Sequence, residues 1–197
     1  MKSGFAQLVA AALLALSLWQ FGNAGLIQAK AWAAPILIER AWQKTLEARQ
    51  PTKPWPWADT WPVAKLEVPA MNIERYVLAG ANGASLPFGP GHVARTAEPG
   101  ETGSVIIAGH RDTHFAFLHD IRPGTLLRLT SSSGRTQAFE VTGQEIVDAR
   151  LRGIRPLVAG SELVLVTCEP GALLPFRGPR RLVVTAQPSQ QLGPPDG

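Results

Sequence analysis

The sequence predicts an all-β domain, a small closed barrel, set behind an N-terminal membrane-anchoring helix. Three observations predict it. From residue 63 onward, seven or eight short apolar or alternating runs are separated by turns rich in Gly and Pro. Almost no helical period accompanies them. The long apolar pattern of the chain lies instead at the N-terminus, where no residue from Ser3 to Ala29 is charged. At 197 residues the chain has room for one domain and little more.

The stretch from Phe5 to Phe21 is almost wholly apolar, and Gly4 to Gly25 matches the roughly 20 residues a helix needs to cross a bilayer core. Trp19 and Trp32 suit an interfacial belt. Lys2 and the amino terminus favour a start in the cytoplasm, which sends everything beyond Gly25 outward. Residues 1–29 are therefore read as a single-pass anchor in the inner (cytoplasmic) membrane, with the domain facing the periplasm or cell exterior. A cleavable signal peptide, with Ala31-Trp32-Ala33 as its processing site, is the competing reading. Both readings export the domain.

Residues 30–62 hold the rest of the helical pattern, through Ile36, Leu37, Ile38, Ala41, Trp42, Thr45 and Leu46, and then a linker. Between Gln50 and Pro62 four prolines forbid a continuing helix, and the tryptophans among them are expected to dock onto the domain. The barrel is expected over 63–187. Its strands are Val63–Val68 and Ile73–Leu78, separated by the turn-like Pro69-Ala70-Met71-Asn72, then the buried run Ser104–Ala108. Leu126–Leu129 and Thr136–Thr142 flank Ser131-Ser132-Ser133-Gly134 as a hairpin. Leu163–Thr167 and Leu182–Thr185 complete the set. Residues 188–197 carry nothing to bury and are expected to be disordered.

Charge and cysteine count exclude several functions. Nineteen Lys and Arg face fifteen Asp and Glu, a formal net charge of +4. Without Lys2 this is about +3, too weak and diffuse for nucleic acid. A single cysteine allows no internal disulfide, no Cys-based zinc cage and no iron–sulfur cluster. Alone, such a residue is more often a small core side chain than a nucleophile.

Its setting changes that reading. Cys168 ends the run Leu163-Val164-Leu165-Val166-Thr167, His110 follows Val105-Ile106-Ile107-Ala108-Gly109, and Arg181 precedes Leu182-Val183-Val184. A buried strand fixes the direction of the residue at its end. A nearby cation favours the thiolate over the thiol. A histidine can protonate a leaving amine, and an arginine can stabilise the oxyanion of an acyl-transfer intermediate. The three together read as acyl transfer through a thioester. Arg177 and Arg180 compete for the arginine's place, and alternation favours Arg181, which abuts the strand. A metal reading from His110, His114 and His119, with Asp112 and Asp120, fails on Arg111. That cation stands where a zincin helix has glutamate. No metal and no cofactor are expected, and His92 and His119 are read as surface or loop residues.

These segments resemble a known family. Val105-Ile106-Ile107-Ala108-Gly109-His110-Arg111-Asp112-Thr113-His114-Phe115 is similar to the catalytic-histidine segment of sortases. Leu165-Val166-Thr167-Cys168 resembles their cysteine strand, and Arg181-Leu182-Val183-Val184 the arginine that opens their last strand. The Gly-His-Arg-Asp-Thr-His-Phe wording, the Trp-Pro-Trp-Ala-Asp-Thr-Trp-Pro linker and the Cys-x-Pro ending in Gly-Pro-x-Arg look most like the sortases of Gram-negative bacteria.

The resemblance implies an eight-stranded sortase-type barrel with short helices. It carries the nucleophile to Cys168, the general acid/base to His110 and the oxyanion-stabilising arginine to Arg181. It implies a cysteine transpeptidase that cleaves a Leu-Pro-x-Thr-Gly-like sorting signal near the C-terminus of a substrate protein and passes the acyl group to an amine acceptor in the envelope. Val164 stands where the common motif has Thr. Thr167 is expected to line the site, and Leu173, Leu174 and Phe176 to wall a groove for the Leu and Pro of the signal. A thiol peptidase that gives the same acyl-enzyme to water is the alternative enzyme, and a non-catalytic anchored binding domain the alternative outside catalysis. An L,D-transpeptidase is disfavoured, because its cysteine normally follows Ser-x-Gly.

Overall fold

Eight strands close into a barrel in the order β1-β2-β3-β4-β7-β8-β6-β5, with β5 returning to pair with β1. The computed structural model describes residues 2–83, 85–151, 160–169 and 178–189, leaving aside the helical side chains of residues 2–11 and 23–31. The expected Leu173, Leu174 and Phe176, with Arg177, lie outside the described residues, as do residues 190–197 of the expected tail. The chain divides into two units, Met1–Leu37 and Ile38–Gly197.

The first unit is helical from Lys2, in a helix α1 (Lys2–Ala48) that runs through Pro35. Leu13, Leu14, Leu16, Leu18, Trp19 and Phe21 are exposed along it. Among the described residues, no helix is long and apolar enough to cross a membrane.

In Ile38–Gly197 the end of α1 buries Ile38, Ala41, Trp42 and Thr45. The Trp42 ring meets Tyr76 at 6.2 Å between centroids. The helix stops at Ala48, two residues before the proline-rich linker begins. In that linker Trp55 packs edge-on against Phe88 at 5.2 Å. Thr60 Oγ1 donates to the Ala79 carbonyl at 2.8 Å. Trp57 does not dock as expected and stands exposed.

Strand β1 (Pro62–Val68) alternates cleanly, sending Ala64, Leu66 and Val68 inward and Lys65 and Glu67 outward. There Lys65 pairs with Glu67 and Glu74, each at 3.3 Å. The turn to β2 (Ile73–Ala79) is a 3-10 turn over Pro69–Met71, closed by Asn72 at φ 51°. Asparagine tolerates that left-handed conformation where most residues resist it. Strand β3 (Gly91–His92) is two residues long and lies parallel to β2. A Cβ at Gly91 would collide with the Gly80 carbonyl, so only glycine permits this approach.

Strand β3 brings one correction. His92 is neither surface nor loop: it is 2% exposed. Its Nε2 lies 2.9 Å from the Ala97 carbonyl and 3.1 Å from Thr96 Oγ1.

Strand β4 (Gly103–Gly109) pairs parallel with β7 (Ser161–Cys168) through seven registered residues, from Gly103↔Ser161 to Gly109↔Thr167. Both read as continuous apolar runs because both of their faces are covered. Val105, Ile107, Leu163 and Leu165 enter the barrel core with Leu66, Phe139 and Val184. Ile106, Val164 and Val166 join a second cluster with Val147 and Val183. Strands β5 (Leu126–Ser131) and β6 (Thr136–Asp148) form the expected hairpin. β6 runs on past Thr142 over an irregularity between Val141 and Gly143, and pairs with β8 (Arg180–Pro188) on both sides of it, from Phe139↔Pro188 to Asp148↔Arg180. Pro188 thus belongs to the last strand rather than opening a tail.

Candidate active site

The C-terminal end of β7 carries Cys168 and exposes it. Two neighbours bring the other candidates to it. On one side β8 runs antiparallel, and Cys168 and Arg181 are direct partners in the ladder. Side chains directly opposite in an antiparallel pair leave from the same face, with Cβ atoms about 5 Å apart. On the other side the parallel ladder with β4 ends at Gly109↔Thr167. Continued by one residue, that register sets His110 beside Cys168. Both are exposed. The three residues singled out in the sequence thus come together at one end of adjacent strands.

The arginine's place follows from the start of β8. The strand begins at Arg180, which is exposed and pairs with Asp148 of β6. Arg181, one residue on, faces the side of Cys168 and is partly covered. Its guanidinium is steadied by Nη1, which donates to the carbonyls of Gly178 and Arg180, each at 2.8 Å.

Below the site, the strand ends are locked. Thr167 is buried, and its Oγ1 donates to the Gly109 carbonyl at 2.8 Å. Its hydroxyl therefore ties β7 to β4 under the site. A Cβ at Gly109 would lie 2.8 Å from the ring of Phe115, which is fully buried. Glycine lets that ring pass directly beneath the residue before His110. The chain then turns, with the Phe115 amide donating to the His110 carbonyl at 3.0 Å. A 3-10 turn, Ala116–His119, follows and sinks Phe117 and Leu118 into the core. The loop after His110 is thus anchored by three buried apolar side chains.

The charges around the site are mixed. Arg111 Nε donates to Asp112 Oδ1 at 2.7 Å. The carboxylate of Asp112, then those of Glu169 and the Cys168 sulfur, hold the proton of Arg111 more firmly than usual. His114 is half-buried, and burial pushes its imidazole down against the hydrogen bond it gives the Pro87 carbonyl. The nearby Arg75 guanidinium and His110 imidazole push in the same direction as burial. Glu169, directly after the cysteine, sends one carboxylate oxygen to 3.8 Å from Nε2 of His119. The sequence gave no signal for that last contact, since it joins two segments through space.

Comparison with known proteins agrees with this geometry. The Sortase domain family matches residues 66–189, so the chain belongs to the sortase family. It is 32% identical to Sortase D of Bacillus subtilis (strain 168) over 120 residues, which are 60% of this chain and 60% of that protein. The chain thus spans less than two thirds of that curated relative's length.

Among solved structures, Sortase A from Corynebacterium diphtheriae aligns over 71% of this chain and 66% of that one. The two share 28% identity at a TM-score of 0.56. The lid mutant of that protein aligns over 82% of this chain and 96% of that one, at a TM-score of 0.58 and 24% identity, a likeness of fold. These relatives are Gram-positive, and the expected greater likeness to Gram-negative sortases finds no support in them.

Proposed function

We propose that the protein is a cysteine transpeptidase that cleaves a Leu-Pro-x-Thr-Gly-like signal near the C-terminus of a substrate protein and joins the product to an amine. The observation that carries this reading is the cross-strand pair Cys168↔Arg181 with His110 at the end of the neighbouring parallel strand. The Cys168 thiolate attacks the scissile carbonyl, and the negative charge that develops on its oxygen falls to the Arg181 guanidinium. His110 gives a proton to the departing amine, leaving the acyl group as a thioester on sulfur. An incoming amine then attacks the thioester. His110 takes its proton, and the thiolate leaves with its electron pair.

The exposed leucines and aromatics of Leu13–Phe21 and the charge-free run around them support anchoring through the N-terminal helix. The catalytic domain then faces the periplasm or cell exterior from the inner membrane.

The test is the full-length chain with a fluorogenic Leu-Pro-x-Thr-Gly peptide and a defined amine. The parent releases the C-terminal fragment, forms ligated product and shows a thioester on Cys168 by mass spectrometry. Cys168→Ala releases nothing. Cleavage by the alanine variant at the parent rate would end this reading.

A further inference from the structure

Glu169 has no part in the chemistry above, yet its backbone joins β8 and its carboxylate reaches the 3-10 turn that follows His110. Its amide donates to the Arg180 carbonyl at 3.0 Å, which extends the β7–β8 pairing one step beyond Cys168. Its side chain is 19% exposed, and Oε2 is buried with no hydrogen-bond partner among the described residues. A buried carboxylate oxygen in that state is costly unless opposite charge compensates it. Compensation comes from across the seam. Nε2 of His119 is 3.8 Å away, at the end of the 3-10 turn whose Phe117 and Leu118 are fixed in the core. The Arg111 guanidinium, next to His110, is attracted both to Glu169 and to the sulfur of Cys168.

The charged and titratable groups of the elements meeting here are His110, Arg111 and Asp112 after β4, and His119 and Asp120 at the 3-10 turn. Arg180 and Arg181 stand on β8, and Cys168 on the strand that Glu169 extends. Three arginines and two histidines stand against the carboxylates of Asp112, Asp120 and Glu169, and Glu169 is the carboxylate nearest the cysteine along the chain.

We infer that Glu169, directly after Cys168 and 3.8 Å from His119, is a positioning residue that sets the charge around the Cys168 thiol and ties the cysteine strand to the loop carrying His110. It does so by drawing onto itself the positive charge of Arg111, and that of His119 when its imidazole is protonated. The carboxylate thereby limits how strongly these groups favour the thiolate.

This inference rests on the proposed role of Cys168, but its test needs no peptide substrate. Cys168 is the chain's single cysteine, so alkylation by iodoacetamide followed against pH reports on it alone. Below the midpoint of that profile, Glu169→Gln alkylates about threefold faster than the parent, because a negative neighbour has gone. At pH values where the imidazole is protonated, His119→Gln alkylates about twofold slower, because the carboxylate is left less compensated. Glu169→Asp, which keeps the charge, returns the profile towards the parent. In the Glu169→Gln background, His119→Gln has no further effect.

The inference fails if Glu169→Gln leaves the profile where it was, or if His119→Gln acts equally in both backgrounds. If Glu169→Gln does not fold, an unchanged alkylation rate in His119→Gln alone overturns it. A merely structural pair would lower the melting temperature of both variants without moving the pH profile. Failure of the peptide assay with the alkylation pattern intact would strike the proposed reaction and leave the role of Glu169 standing.

Discussion

Cys168 and Arg181 face one another across the β7–β8 ladder, the last pair of an antiparallel register that begins at Leu163↔Ala186. Six registered pairs fix where the backbone of Arg181 stands relative to that of Cys168. The relationship is one of backbone, and side-chain chemistry then decides what it accomplishes.

Arg181→Lys keeps the charge but loses the fork whose Nη1 is braced by two carbonyls. The expected outcome is a fall of about 10²–10³ in kcat/KM, the size seen when one oxyanion donor is lost. Arg180→Lys, outside the site, leaves peptide cleavage near the parent value.

Gly109→Ala places a methyl 2.8 Å from the Phe115 ring. The ring is buried and cannot swing away, so a destabilisation of about 1–3 kcal/mol is expected in chemical denaturation. Peptide cleavage falls as well, because the displaced strand end carries His110. Phe115→Leu in the same chain should recover part of both losses.

His114 makes the fold sensitive to acid. Burial holds its imidazole below the ordinary histidine value of about 6.5, so the unfolded chain binds more protons than the folded one as the pH drops through that value. Stability is complete above that pH and declines below it. Melting temperatures measured between about pH 7 and pH 5 should slope less in His114→Gln than in the parent.

Trp42 is 2% exposed and rests on Tyr76 of β2. Trp42→Ala should cost about 3–5 kcal/mol by the loss of a large buried ring. Denaturant midpoints of the two chains check this.

The barrel and the three residues at its strand ends were legible in the sequence for one reason. Long apolar strands announce themselves, and β4 and β7 are long and apolar on both faces. Where the period is short, the signal disappears. A two-residue strand such as Gly91–His92 shows no alternation, so nothing in the sequence told buried His92 from a loop histidine. In β6 the irregularity at Val141/Gly143 shifts the pattern by one residue and hides the second half of the strand.

The Glu169–His119 contact belongs to a different class. Fifty residues separate the partners along the chain, and only closure of the barrel brings them within 3.8 Å.

That closure also governs when the site comes into being. The tie between Thr167 and Gly109 joins residues 58 positions apart, in parallel strands that no hairpin can bring together. Contacts of such long range form slowly, because the entropy of closing the intervening loop is spent before the contact returns anything. β5 and β6 can meet as a local hairpin, whereas β7 reaches β4 only after the intervening chain has crossed over. During synthesis and early folding the cysteine therefore exists without its histidine and arginine. The grouping of Cys168 with Arg181 and the end of β4 arrives only with the finished barrel.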